Sequence, residues 1–424
     1  MRSRLLVLGS GELGTACALS LLANGAAASC EVTMVGRDRD YLHDVQYGSR
    51  TFRLADRRIR APSGLTVRAV DAEPIKDDVD VDAVLSCVSA TCLENDGAHT
   101  PPMVRCAQNH ADVPMLLFTR GFTREGLTPL EQLGRVSQDL PSKLVVVSGP
   151  LFAREWAVTS AAACDGGDAN RNSGVTLSFA LGGKADVELS RSLQSLTERL
   201  WRRESVTWLD GPLAAEILSL VNGCVPLCSM GAGLVSSEYP GSVSAMMSYL
   251  QHATSATEQL VNGVLGLPLG SPLPSCAVAT IAMACTNHAA REFVFGRRLD
   301  YHFRHRDAIR AVFPAGSHEA LDSTVSGLHM LLRRHAMSSP FYEVLMDTFL
   351  TLMRASVAGR ELVRLGHYEY RHKLRDEDTV LLRHTEVVDE AMLSGDHQRF
   401  DDARRALQMA FGDSSCGAPT MPPL

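Results

Sequence analysis

The fold is decided near the start of the chain by Leu5-Leu6-Val7-Leu8-Gly9-Ser10-Gly11-Glu12-Leu13-Gly14-Thr15-Ala16. A four-residue apolar run leads into a Gly-x-Gly-x-x-Gly spacing, and a helical pattern follows. In such a motif the first glycine permits a sharp turn, the second leaves no Cβ facing a pyrophosphate, and the third lets the helix pack on the sheet. The stretch predicts a strand, a phosphate-binding turn and a helix. The alternative is a tight turn that binds nothing.

Further apolar runs predict the other strands of one sheet. They occupy residues 31–36, 83–88, 115–119 and 144–148. Runs that are apolar on both faces, separated by segments long enough for helices, are typical of a parallel sheet covered on both sides. We therefore predict an α/β fold with an N-terminal Rossmann domain, a doubly wound parallel sheet, over residues 1–208. Its first helix is expected at about residues 15–24, before Gly25.

Strand patterns disappear after residue 208. Long segments rich in Ala, Leu, Met and Ser predict an all-α second domain at 209–345, and residues 346–424 predict a helical extension with a loose tail. Residues 165–173 are polar and predict a surface loop. The segment 212–234 is apolar enough to raise the question of a membrane span, but Glu216, Asn222 and Pro226 interrupt it, which favours a buried helix.

Composition limits the possible partners. The formal net charge of −7 argues against a nucleic-acid surface, which needs a clustered basic excess. The 11 cysteines are odd in number and scattered without metal-binding spacing, so we expect reduced thiols and no metal site. No membrane association is expected, because polar residues and a proline interrupt the apolar segment at 212–234. A cytoplasmic location is expected, and an organelle matrix stays open.

Three other segments, taken with the glycine turn, resemble a known family. They are Phe118-Thr119-Arg120-Gly121-Phe122, Val147-Ser148-Gly149-Pro150-Leu151-Phe152-Ala153-Arg154-Glu155 and Arg291-Glu292-Phe293-Val294-Phe295-Gly296. The NAD-dependent glycerol-3-phosphate dehydrogenases carry G-x-G-x-x-G-T-A, (T/S)-K-G, S-G-P-x-x-A-x-E and R-N-x-x-x-G in the same order. The resemblance covers roughly residues 4–345.

This resemblance implies hydride transfer between NAD(H) and the C2 position of a small phosphorylated substrate, glycerol 3-phosphate or dihydroxyacetone phosphate. The reaction would take place in a cleft between the two domains, and a homodimer is implied. With the glycine turn, the resemblance places the cofactor on Gly9, Ser10, Gly11, Glu12, Leu13, Gly14, Arg37, Val88, Ala153 and Arg291.

The implied catalytic residues are Asn222, Arg120 and Arg291. The family places a lysine before the asparagine, on the first long helix of the second domain, to polarise the carbonyl and supply the proton. Here that position is Val221, which can do neither. The chain has four lysines, at positions 76, 143, 184 and 373, and none falls in the predicted helical core. Other departures from the family pattern are Thr280 for aspartate, Ala284 for threonine and Glu292 for asparagine.

Two functions therefore stay open. Arg120 and Arg291 can hold a phosphate, but arginine is a poor proton donor, so a dehydrogenase of low turnover would need another donor such as His288 or a water. The alternative is an inactive NAD(P)-binding pseudoenzyme that acts as a regulatory or scaffold subunit. The 2-dehydropantoate reductases have a similar two-domain architecture, but they lack the Ser-Gly-Pro segment and also require a lysine at this position. Two of the candidate residues also have an alternative without a functional role: Arg120 can be a solvated surface side chain, and Asn222 can form hydrogen bonds within the core.

The coenzyme is also open between NAD and NADP. NAD-binding domains usually carry an acidic residue at the end of the second strand, whereas an arginine there suits a 2′-phosphate. This chain has Val35-Gly36-Arg37-Asp38. Asp38 has a simpler alternative role, which is to cap the next helix.

Overall fold

The computed structural model describes residues 3–23, 30–54, 57–69, 81–94, 100–136, 140–164, 174–183, 187–201, 204–302 and 319–350. All of them lie in the first of two compact units, Met1–Leu352. The predicted surface loop at 165–173 and almost all of the predicted extension at 346–424 lie outside the described residues.

An eight-stranded sheet organises the first 208 residues. Its strands are β1 (Ser3–Leu8), β2 (Cys30–Gly36), β5 (Leu65–Ala69), β6 (Ala83–Ser86), β7 (Met115–Leu117), β8 (Leu144–Ser148), β9 (Thr176–Leu181) and β10 (Ser205–Trp208). Their order is β10-β9-β8-β7-β6-β1-β2-β5. A separate antiparallel pair is formed by β3 (Thr51–Leu54) and β4 (Arg57–Arg60). The predicted α/β fold with a doubly wound sheet is confirmed.

Six neighbouring strands of the sheet run parallel: β5, β2, β1, β6, β7 and β8. Strand β9 pairs antiparallel with β8. An antiparallel strand toward the edge of a parallel sheet is common. The sequence analysis identified the five central strands and missed β5, β9 and β10. Strands β5 and β10 alternate between more and less exposed residues, so they lack the continuous apolar run that marks a strand covered on both faces.

Six helices accompany the sheet: α1 (Glu12–Ala23), α2 (Arg39–Tyr47), α3 (Pro102–Asn109), α4 (Pro129–Gly134), α5 (Ala153–Cys164) and α6 (Val187–Leu200). The helical region that follows contains α7 (Ala214–Glu238), α8 (Val243–Leu265), α9 (Ser275–Thr286), α10 (Arg291–His302) and α11 (Glu319–Arg334). Helix α12 covers residues 340–350. Single 3-10 turns occur at Ala90–Leu93 and Leu140–Lys143.

The core of the sheet domain surrounds α1, which is buried along almost its whole length between the sheet and α5. A helix that is apolar all round is stable only when it is covered on all sides. The largest buried side chains include Trp156, Trp201, Phe118 and Phe179, and their rings lie 5.5 to 6.5 Å apart. This core fixes the position of the glycine turn at the start of α1.

Helix α7 is the central helix of the helical region. By length and composition it could cross a membrane, but 89% of its most apolar window is buried inside the protein. It packs against α8, α9, α10 and α11 and also contacts β8 and β9. The predicted buried helix is therefore observed, and it carries Asn222 to the sheet.

Helices α7 and α10 approach each other through glycines. A Cβ at Gly296 would lie 1.8 Å from the Met230 carbonyl oxygen, and a Cβ at Gly233 would lie 2.1 Å from the Phe293 carbonyl oxygen. Real Cβ contacts are never this short, so only glycine permits the spacing. The contact brings α10 close to α7, and α10 carries Arg291 and Glu292 in its first turn.

We expect Gly296→Ala to lower the free energy of unfolding by about 2 to 3 kcal/mol, because the added methyl group overpacks a backbone contact that cannot relax locally. Thermal and denaturant unfolding measure the change. The control is Gly64→Ala, where the new Cβ would lie 3.4 Å from Leu22 Cδ2. Equal stabilities of the two variants would show that the α7–α10 contact is not close-packed.

Candidate functional site

The glycine turn lies where the order of strands reverses. Strand β1 lies between β2 and β6, and the chain leaves it toward β2 before crossing to β6. In open α/β sheets, ligands bind outside the carboxyl ends of the strands at such a point. The turn from Gly9 to Gly14 leaves the carboxyl end of β1, and Cys87 and Val88 leave the carboxyl end of β6.

The three glycines of the turn have different surroundings. Gly9 has φ +107°, and a Cβ there would lie 2.8 Å from the Cys87 carbonyl oxygen. A Cβ at Gly14 would lie 1.9 Å from the Gly9 carbonyl oxygen, whereas a Cβ at Gly11 would meet no atom within 4 Å. The turn is therefore closed against the protein at Gly9 and Gly14 and open at Gly11. Free N–H groups at the start of α1 and an open face at Gly11 fit a dinucleotide pyrophosphate.

Other predicted cofactor residues lie around this turn. A Cβ at Gly9 would lie 3.2 Å from Val88 Cγ1. Ser10 reaches the end of β2, where its hydroxyl would be 2.1 Å from a Cβ at Gly36. Sequence reasoning missed this role of Gly36, although a glycine that ends the second strand is a usable signal. Leu13 and Ala153 are half-buried and pack against the core of the sheet domain.

Two charged residues, Arg37 and Asp38, follow the end of β2 and have different environments. Asp38 Oδ1 accepts a hydrogen bond from the Tyr41 backbone N–H at 3.0 Å, so Asp38 caps α2 and the capping alternative is confirmed. The side chain of Arg37 is exposed. The exposed guanidinium follows the carboxyl end of β2, which is the place where dinucleotide-binding domains distinguish NAD from NADP.

The turn is also tied to the Ser-Gly-Pro segment by an ion pair. Arg154 Nε donates to Glu12 Oε1 at 2.8 Å. Glu12 is the first residue of α1, and Arg154 lies in the first turn of α5. Sequence reasoning placed Glu12 at the cofactor but did not identify its partner, because the two residues are 142 positions apart.

Asn222 lies where α7 meets the carboxyl end of β8. Its side chain is 2% exposed; Nδ2 donates to the Val147 carbonyl oxygen at 2.9 Å, and Oδ1 accepts from the Ser148 hydroxyl at 2.9 Å. Its backbone carbonyl accepts from the Gly121 N–H at 3.2 Å. Both polar atoms of the amide are thus engaged within the protein, as the structural alternative for Asn222 requires.

Helix α9 joins the same network. Thr280 is fully buried, and its hydroxyl lies 2.9 Å from Ser148 Oγ and accepts from the Gly149 N–H at 2.9 Å. Thr280 stands where the family pattern has an aspartate, and here it holds the backbone of the Ser-Gly-Pro segment. Ser148 was quoted in the sequence as part of that segment, but its bonds to two separate helices are visible only in the fold.

The predicted phosphate-binding arginines have different environments. Arg120 precedes Gly121 and is half-buried, and burial lowers the pKa of its guanidinium, whereas the nearby Glu292 carboxylate raises it. Arg291 is exposed at the start of α10. The structure therefore brings Asn222 and the Arg120 turn together and places Glu292 within the electrostatic field of Arg120. Among the described residues, no hydrogen bond or ion pair joins the Arg291 side chain to this group.

The position of the family's lysine is apolar and inaccessible. Val221 is 0% exposed and lies in the buried part of α7. Within the described ranges the only lysine is Lys143, at the amino end of β8, whereas Ser148 lies at its carboxyl end. His288, the donor suggested from the sequence, is exposed, and its ring packs edge-on against Phe293 at 4.6 Å.

Cysteines and metal-binding side chains add no further chemistry here. The ten cysteines in the described part of the chain are all free, and six of them are buried. Burial raises the pKa of the Cys106 thiol to about 12 and that of Cys228 to about 11, so these thiols stay protonated near neutral pH. Over the same residues, no group of three or more His, Cys, Asp or Glu side chains could hold a metal ion.

Comparison with known proteins agrees with the predicted resemblance over the sheet domain. Residues 4–172 match the family model of the NAD-dependent glycerol-3-phosphate dehydrogenase N-terminus. No curated protein matches the chain in a sequence comparison.

Solved structures extend the likeness beyond the sheet domain. A glycerol-3-phosphate dehydrogenase from Saccharomyces cerevisiae superimposes with a TM-score of 0.59 at 15% identity, covering 82% of this chain and 95% of that one. One from Plasmodium falciparum gives a TM-score of 0.57 at 12% identity, with 88% and 97% covered. At these identities the likeness shows a common fold, a Rossmann-type domain followed by a helical region.

We expect Asn222→Ala to lower the free energy of unfolding by about 1 to 3 kcal/mol, because it removes the buried hydrogen bonds to the Val147 carbonyl and the Ser148 hydroxyl. Denaturant unfolding measures the loss. Asn287→Ala is the control, since Asn287 caps the end of α9 at a half-exposed position. If Asn222→Ala unfolds like the wild type, the amide does not join α7 to the sheet.

Proposed function

Because residues 4–172 carry the N-terminal domain of the NAD-dependent glycerol-3-phosphate dehydrogenases, we propose that this chain binds a nicotinamide dinucleotide at the Gly9–Gly14 turn. We propose further that it is a glycerol-3-phosphate dehydrogenase-like oxidoreductase whose turnover is low or absent. NAD(H) is the proposed cofactor, and NADP(H) is possible because Arg37 is exposed at the end of β2.

The open face at Gly11 supports the binding part of the proposal. A glycine that faces empty space between two tightly packed glycines leaves the backbone accessible to a phosphate group. When bound, the nicotinamide supplies the hydride, and the protein must position the substrate and manage the proton. The residues of this chain are better suited to positioning a substrate than to transferring a proton.

The buried Val221 is the observation that carries the proposal of low or absent turnover. Reduction of a carbonyl needs a proton donor and a positive charge at the developing alkoxide. Val221 supplies neither, and both polar atoms of the neighbouring Asn222 amide already bond to Val147 and Ser148. Arg120 keeps its proton at neutral pH even when burial lowers its pKa, so it holds charge but does not transfer a proton.

Binding of the substrate's phosphate by the protein also has less support here than in the family pattern. Arg120 provides a positive charge next to Gly121, but the Glu292 carboxylate acts on it, and Arg291 lies exposed at the start of α10. A carboxylate next to a phosphate-binding arginine reduces the net attraction for an anion. This observation favours the alternative function, an inactive NAD(P)-binding pseudoenzyme with a regulatory or scaffold role.

Binding of NADH and NADPH is measured by calorimetry on the full chain and on Gly11→Val. The valine side chain fits the open space without disturbing the fold, but it fills the position of the phosphate. We expect affinity to fall by more than about tenfold, with only a small decrease in the unfolding temperature because valine is a poorer N-cap than glycine. Gly64→Val, an exposed glycine away from the turn, is the control and should bind as the wild type does. Equal affinity of Gly11→Val would refute the site.

Turnover is measured separately, by following coenzyme oxidation with dihydroxyacetone phosphate as substrate. We expect saturating NADH or NADPH to bind without measurable oxidation, because Val221, at the position of the family's lysine, cannot protonate the alkoxide. Rates like those of an active family member, run in parallel, would contradict the proposal. A slow rate that is abolished by His288→Gln would identify a replacement donor and support the dehydrogenase over the pseudoenzyme.

A further inference from the structure

Glu12 places a negative charge at the anion-binding end of α1. It is the first residue of the helix and follows Gly11, whose open face is the proposed phosphate position. In the free protein, a carboxylate at the start of a helix interacts favourably with the helix dipole. The same carboxylate repels a phosphate that approaches the same N–H groups, since like charges interact unfavourably over several ångströms.

Arg154 compensates for this charge. Its Nε lies 2.8 Å from Glu12 Oε1, and the two side chains are 35% and 28% exposed, so water screens the pair only in part. Arginine remains protonated at any physiological pH, and the compensation is therefore constant. Arg154 lies in the first turn of α5, which packs along α1, so its position relative to the turn is fixed by the core.

We propose that Arg154 is a positioning residue for the dinucleotide: it neutralises Glu12 and holds the carboxylate so that the turn accepts a pyrophosphate. This inference rests on the proposed dinucleotide site. It adds to that site a requirement that the Gly-x-Gly-x-x-Gly spacing does not contain, an arginine outside the motif that makes a carboxylate inside the motif compatible with an anionic ligand.

A purely structural role for the pair makes different predictions. If the bond only joins α1 to α5, removing Arg154 and removing Glu12 would lower stability equally, and both changes would affect ligand affinity equally. Charge compensation is asymmetric. Removing Arg154 alone leaves Glu12 facing the phosphate, whereas removing both charges leaves a neutral turn.

The experiment compares the wild type with Arg154→Met, Glu12→Gln and the double variant, using NADH as the probe and calorimetry to measure its Kd. We expect Arg154→Met to weaken binding about tenfold and Glu12→Gln to bind at least as tightly as the wild type. The double variant should return to within about threefold of the wild type. The loss in Arg154→Met should shrink at high salt, because screening weakens the repulsion by Glu12.

Arg334→Met is the control for loss of an arginine away from the turn: Arg334, on α11, lies 4.0 Å from Glu131 and donates to the Glu125 and Gly126 carbonyls. Thermal unfolding of all variants separates folding defects from binding defects. Arg154→Met with unchanged affinity, or a double variant as weak as Arg154→Met, would overturn the inference and leave the proposed function intact. A wild-type protein that binds neither NADH nor NADPH would overturn both.

Discussion

The side-chain amide of Asn222 holds the helical region against the sheet, and the rest of the candidate site depends on this contact. It bonds to the Val147 carbonyl and the Ser148 hydroxyl at the carboxyl end of β8, the edge of the sheet where ligands of this fold class bind. Thr280 of α9 bonds to the same serine and to Gly149. Because these groups are buried, each would be costly to leave unpaired, so the network sets how α7 and α9 meet the sheet.

The same network limits the chemistry. Asn222 bonds within the protein through its oxygen and one of its two N–H donors, and an amide does not protonate an alkoxide. Its neighbour Val221, at the position of the family's lysine, is apolar and buried. The sheet and the helical region meet at Asn222, and the position that carries a lysine in the family pattern is Val221. A fold of this class does not by itself establish a reaction, which depends on the residues at the site.

Two carboxylates lie where the architecture favours anions, and an arginine accompanies each of them. Glu12 stands at the glycine turn and bonds to Arg154, and Glu292 stands at the start of α10 and acts on Arg120. Glu12 lies inside the glycine motif but its partner Arg154 does not, and each pair joins elements far apart in the sequence. In each case the electrostatics depends on both members, so a motif that lists only one of them describes the charge of the site incompletely.

The sequence by itself determined the sheet-forming core, the glycine turn, the change from strands to helices after residue 208 and the absence of a lysine before Asn222. These depend on local patterns: apolar runs, glycine spacing and residue identity. Only the tertiary structure decided that Arg154 pairs with Glu12, that Glu292 lies near Arg120 and that Asn222 bonds to β8, since each contact joins residues more than 70 positions apart. Edge strands such as β10 also needed the fold, because half-exposed strands carry a weak apolar pattern and are specified by pairing with their neighbours.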